Sequence, residues 1–154
     1  MGVNERGRCR LGEMSAQFLG RFLVELLKDD KAGLWRHHEP FGFRSSVAGI
    51  DIWVPAGHTT DFCSVPRVPL AYELLGNRAR MAGSIHDWLY TSKILSREIA
   101  DRVLREMLVL DGVSEFEAEE FHLAVRAFGG SHWEPEQSAG DQATAAALAS
   151  PQAA

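Results

Sequence analysis

Hydrophobic and polar positions change their period near residue 77. Upstream of it, apolar side chains run in short extended stretches. In Gly49–Val54, Ile50, Ile52 and Val54 fall on one face and Asp51 and Trp53 on the other, the period of two of a half-buried strand. Phe18–Lys28 and Gly33–Arg44 read as two further extended segments. Asp29-Asp30 and Ser45-Ser46 separate the three and suit turns. Phe18, Phe22 and Leu26 would also satisfy a helical period, and the reading adopted for this first segment is a strand.

Pro55-Ala56-Gly57 stops the third strand, and Val65-Pro66-Arg67-Val68-Pro69 forbids regular pairing. Gly57–Pro69 is therefore expected to be an irregular loop over the helical layer. Beyond Gly76-Asn77 the period becomes helical. Ala82, Ile85 and Leu89 form a stripe that ends near Thr91-Ser92. Ser96 then caps a helix carrying Ile99, Ala100, Val103, Leu104, Met107 and Leu110, and Gly112 stops it. Ser114-Glu115-Phe116-Glu117 is a capping box, in which Ser and Glu side chains satisfy each other's free backbone donors. It opens a third helix whose apolar face is Ala118, Phe121, Val125 and Phe128.

Strands followed by helices, without strict alternation, indicate an α+β domain. The expected architecture is a small antiparallel sheet or ribbon, over about residues 16–54, packed on a three-helix layer over about 78–91, 97–111 and 115–128. The 154 residues, 45% hydrophobic and 24% charged, suit one globular domain spanning 15–134. Residues 1–14 have no apolar period and 135–154 are mostly Ala, Gln, Ser and Gly, so both are expected to be tails.

Charge and cysteine content narrow the functional classes. A formal charge of −5 and sixteen scattered Lys and Arg give no footprint for a phosphate backbone; nucleic acid and nucleotide cofactors are not expected. No run approaches the roughly eighteen apolar residues of a membrane span. Cys9 and Cys63 suggest neither a disulfide framework nor a zinc site, so a reducing cytoplasm is the expected location.

The candidate chemistry lies on the first two helices. Residues 86 and 101 stand equally far from the middle of their connecting loop, as do 90 and 97. An antiparallel helical hairpin therefore sets His86 opposite Asp101 and Tyr90 opposite Arg97. One turn separates 86 from 90 and 97 from 101, so the four can form one cluster. Imidazole and carboxylate on an otherwise apolar seam must bond each other to offset desolvation. Such a pair fixes the ring tautomer, as a general base requires; it also describes a purely structural ion-pair lock. Asp87, rotated about 100° from His86, leaves the seam and could hold a divalent cation.

Elsewhere, Asp61 in Thr59-Thr60-Asp61 is a turn-former or an additional metal ligand. Arg67 could bind a substrate anion or pair with a surface acid. His37 and His38, neighbours on a strand, point to opposite faces. Cys63 reads as core filler more than as a nucleophile. Trp133 is expected to close the core after the third helix, with Trp35, Trp53 and Trp88 as packing anchors.

Val54-Pro-Ala-Gly-His-Thr-Thr-Asp-Phe-Cys-Ser-Val-Pro-Arg67, His86-Asp-Trp-Leu-Tyr90, Arg97-Glu-Ile-Ala-Asp101 and Val125-Arg-Ala-Phe-Gly129 together resemble the phage and bacterial family called domain of unknown function 1353. The resemblance spans about residues 18–133, and departs from the family pattern at His58 and Cys63. His86-Asp87-x-x-Tyr90 followed by Asp101 on a second helix also looks like the core of secreted phospholipase A2. That likeness implies a metal-assisted hydrolase in which His86 activates water, Asp101 orients it and Tyr90 supports the pair. Asp87 would hold calcium, or another divalent cation, with Gly57–Asp61 as a further oxygen source. The substrate would be an ester, amide or lipid. The phage occurrence of the first family implies a location in the cytoplasm of a bacterial host, or in a virion, and the alternative of a non-enzymatic tail-associated or assembly protein whose partners are phage structural proteins.

Overall fold

The computed structural model describes residues 14–28, 33–62 and 79–133. Among the described residues six short strands precede three helices, so the α+β class holds. Instead of one sheet there are two, each of three antiparallel strands. The first has the order β1 (Gln17–Leu19), β4 (Phe41–Ser45), β5 (Ile50–Val54); the second has β2 (Val24–Lys28), β3 (Leu34–His37), β6 (Thr59–Thr60).

Two of the expected strands are each broken in the middle, and the breaks create the second sheet. Phe18–Lys28 divides at Gly20, whose φ of +76° is open to glycine at little cost. A side chain there would also meet the Pro40 carbonyl oxygen at 3.1 Å. Gly33–Arg44 divides at His38-Glu39-Pro40, because proline has no N–H for a ladder. The half-strands before and after each break then pair in different sheets: Phe18 with Phe43, and Val24 with His37. The loop expected over Gly57–Pro69 contains β6, which pairs Thr60 with Trp35; its remainder, from Cys63, lies outside the described residues.

The helices are α1 (Ala79–Ser92), α2 (Arg97–Leu110) and α3 (Glu115–Phe128). Ser96 caps α2 by accepting from the Ile99 amide, and Ser114 with Glu117 forms the capping box of α3. One hydrophobic cluster joins Phe41, Phe43, Ile52 and Val54 of the first sheet to Ile85, Leu89, Leu104, Met107 and Val125 of the helices. Ile50, on the same strand face as Ile52, is 40% exposed at the strand's outer end. Phe128 is 64% exposed and does not serve the core face assigned to it. Trp133 packs there instead, its ring edge-on to Tyr90 with centroids 5.0 Å apart.

Glu106 of α2 ties the helices to the β4–β5 turn. Its carboxylate accepts from the Ser45 hydroxyl at 2.6 Å, the Ser46 amide at 2.9 Å and the Ser46 hydroxyl. A buried or half-buried carboxylate so placed satisfies turn amides that have no sheet partner.

Candidate functional site

The hairpin of α1 and α2 builds a polar cluster in the register set by its short connection. His86 Nε2 lies 2.9 Å from Asp101 Oδ1, with both side chains fully buried. The Tyr90 hydroxyl donates to the same oxygen at 2.6 Å, and Arg97 Nε donates to that hydroxyl at 3.3 Å. The opposite carboxylate oxygen, Oδ2, accepts from Arg126 Nη1 at 3.1 Å, with Arg97 Nε 3.8 Å away. Arg126 comes from α3 and was given no role by the sequence, since an arginine on an exposed helical face carries no signal of what it reaches.

Arg97 also donates through Nη2 to the carbonyls of Val125 at 3.0 Å and Arg126 at 2.8 Å, near the end of α3 where carbonyls lose their helical partners. Gly129 permits this approach: a side chain there would sit 3.0 Å from the Tyr90 hydroxyl and 3.4 Å from Arg97 Nη2. The cluster thus joins three helices around one carboxylate.

Its electrostatics follow from those contacts. Burial acts to raise the Asp101 carboxyl, but the hydrogen bonds from His86, Tyr90 and Arg126 outweigh it and hold the group below its ordinary range. Burial, reinforced by the Asp101 bond, pushes the Tyr90 phenol well above its usual value. An ionised carboxylate only accepts, so His86 carries its proton on Nε2. The other ring nitrogen, Nδ1, is buried and has no hydrogen-bond partner among the described residues.

Asp87 leaves the seam, toward the strands. Thr60 of β6 donates its hydroxyl to Asp87 Oδ2 and accepts from the Phe62 amide at 3.1 Å, so Asp61 is spanned by a side-chain turn. Phe62 closes that turn at φ +55°, a conformation that costs a non-glycine residue energy. Asp61 is half-buried beside it. Arg67 lies outside the described residues.

Sequence reasoning missed a second buried polar group on the strand side of α1. His37 Nε2 is 2.5 Å from Ser84 Oγ. His58, which has no partner by sequence spacing, stacks near His37 with ring centroids 6.2 Å apart and meets Trp88 at 5.1 Å. Burial holds both imidazoles neutral, each depressed to about 4, and His37 lowers His58 further. The alternation that placed His37 and His38 on opposite faces is visible, with His37 buried and His38 exposed.

A calcium ion at Asp87, implied by the phospholipase likeness, finds no gathered set of donor side chains among the described residues. One carboxylate oxygen already takes the Thr60 hydroxyl. Among the described residues no three His, Cys, Asp or Glu side chains converge where they could hold a metal ion, whereas calcium requires six or more oxygens.

A family model described as "Protein of unknown function (DUF1353)" matches residues 35–125, more than half of the chain and a span that holds both polar groups except Arg126. The chain belongs to this family. No curated protein and no solved structure matches it. The DUF1353 match covers His37, Asp61 and the whole hairpin but names no activity. The likeness to phospholipase A2 is one of residue order along the hairpin, and the family match does not carry it. No helix among the described residues is long and apolar enough to cross a membrane.

Proposed function

We propose that this DUF1353 domain is a hydrolase of carboxylic esters or amides, lipids included, in which His86 activates the attacking water. The observation that supports the reading is the asymmetry of the His86 ring. Nε2 is held by an ionised Asp101, while among the described residues the buried Nδ1 has no hydrogen-bond partner, and a buried acceptor of this kind is one that a water or a substrate could satisfy.

In this scheme Nδ1 takes a proton from water as the water oxygen bonds to the substrate carbonyl carbon. The Nε2 bond to Asp101 stabilises the imidazolium so formed. The proton returns to the leaving oxygen or nitrogen as its bond to carbon breaks. Asp101, Tyr90, Arg97 and Arg126 position the base. The test is turnover of a panel of carboxylic esters, amides and phospholipids by wild type and by His86→Gln, with circular dichroism confirming that the variant is folded. The expected loss is roughly 10²- to 10⁴-fold. A folded His86→Gln that turns over a responsive substrate at the wild-type rate removes the proposal.

A second reading has its own support: both His86 and Asp101 are fully buried, and the carboxylate draws donors from three helices. On this view the domain is a non-enzymatic tail-associated or assembly component of a phage, and the cluster only fixes the hairpin. It requires the chain at fixed stoichiometry in purified particles, measured by mass spectrometry. Its absence from them removes that reading.

A further inference from the structure

The outer side of α3 is apolar where a surface helix is ordinarily polar. Ala118, Phe121 and Val125 turn into the core. The opposite side shows Phe116, 71% exposed, and Leu123, 59% exposed, with exposed Ala127 one turn beyond. At about 100° per residue these three fall within roughly 40° of one another, so they form one stripe along the helix. Its large ring stands near the N-terminal end and its small methyl near the C-terminal end.

The charges of α3 are divided along the same axis. Glu115, Glu117, Glu119 and Glu120 lie in its first half, whereas the second half has no acidic residue and carries Arg126. Contacts with the rest of the domain do not level this difference. Arg105 of α2 bonds Glu119 at 2.6 Å and stands 3.8 Å from Glu115, and Glu117 serves the capping box. At the other end Arg97 and Arg126 share the single carboxylate of Asp101, and 38% of the Arg126 side chain stays exposed.

We infer that α3 is the interface of a homodimer, in which two copies of the chain pack antiparallel along Phe116, Leu123 and Ala127. An antiparallel pair sets the acidic half of each helix against the basic half of the other, and each Phe116 ring against an alanine. A parallel pair opposes like charges and matches ring to ring. A two-fold axis closes the contact, so association stops at two. One helix of 14 residues from each copy makes a contact at the small end of protein interfaces, and the dimer therefore exchanges with the single chain. This inference is independent of the hydrolase reading.

The test is sedimentation velocity of the full chain from micromolar to millimolar concentration. The mass is expected to rise from that of one chain toward that of two, with association at least about tenfold weaker for Leu123→Glu, an exposed position outside the core. In a mixture of isotope-labelled and unlabelled chains, intermolecular NOEs are expected between the Phe116 ring and the Ala127 methyl, which lie about 16 Å apart along one helix. A chain that stays single at millimolar concentration, or a Leu123→Glu dimer as tight as wild type, overturns the inference. So do NOEs between the two Phe116 rings, which would make the helices parallel, and NOEs from the stripe to residues 134–154 of the same chain, which would assign it to that segment.

Discussion

The two faces of α1 carry two buried polar groups that solve the same problem differently. On the hairpin side an ionised carboxylate is taken inside and surrounded by donors from His86, Tyr90 and Arg126. On the strand side His37 and His58 are taken inside without a counter-charge. Burial simply keeps them neutral, at about 4, and a single serine hydroxyl meets His37. The contrast follows from desolvation: a buried charge demands several partners, whereas a buried imidazole can shed its charge instead. The charged cluster should therefore be the more costly to cut and the neutral one the more sensitive to mild acid.

The largest expected effect is at Asp101. Asp101→Ala leaves His86, Tyr90 and two arginines without their common acceptor, and should cost about 3–5 kcal/mol, as when one partner of a buried pair is removed. Urea denaturation measures it; a loss below 1 kcal/mol would mean that the carboxylate is not the hub its contacts suggest. Tyr90→Phe deletes only one donor to that charge and should cost about 1.5–3 kcal/mol in the same experiment.

Ser84→Ala, the corresponding cut on the strand side, removes a hydrogen bond between neutral groups. About 1 kcal/mol is expected, and a loss larger than that of Tyr90→Phe would reverse the ranking of the two clusters. As a reference away from both, Ser114→Ala removes the capping box of α3 and should also cost about 1 kcal/mol, without altering the pH dependence described next.

Acid separates the clusters most sharply. His37 and His58 have folded-state values of about 4 against an ordinary 6.5, so between those values the unfolded chain binds more protons. Their contribution is complete above pH 6.5 and is lost as pH falls to about 4. Asp101 is depressed below its ordinary 3.8, so its contribution is lost only as pH falls through and below that value. Stability measured from pH 7 to 3 should decline in two phases. His37→Gln should flatten the upper one and Asp101→Asn the lower. If His37→Gln leaves the slope between pH 6.5 and 4 untouched, the strand-side histidines are not the groups responsible.

The hairpin was legible because its information is local. A helical period, a short connection and Ser96 as cap fix the register of 86 with 101 and of 90 with 97, without reference to the rest of the chain. The capping box at Ser114 was legible for the same reason. What escaped the sequence lies between elements distant in the chain: Arg126 reaching Asp101, Glu106 gathering the β4–β5 turn, Thr60 meeting Asp87, and His37 meeting Ser84 across 47 positions. None of these pairs has a spacing to read.

The strands show the same division. Alternation gave the buried face of β5, with Ile52 and Val54 inside, since a period of two is a property of the strand alone. Where a strand must break is signalled weakly, by Gly20 and by Pro40. Which sheet each fragment then joins depends on partners that alternation cannot name. By itself the sequence determined the three helices, their caps and the meeting of His86 with Asp101, because these depend on interactions a few residues or one loop apart. The tertiary structure decided the division into two sheets, the third-helix arginine on the Asp101 carboxylate and the neutral histidine pair behind α1, because burial and long-range pairing depend on the whole packed chain.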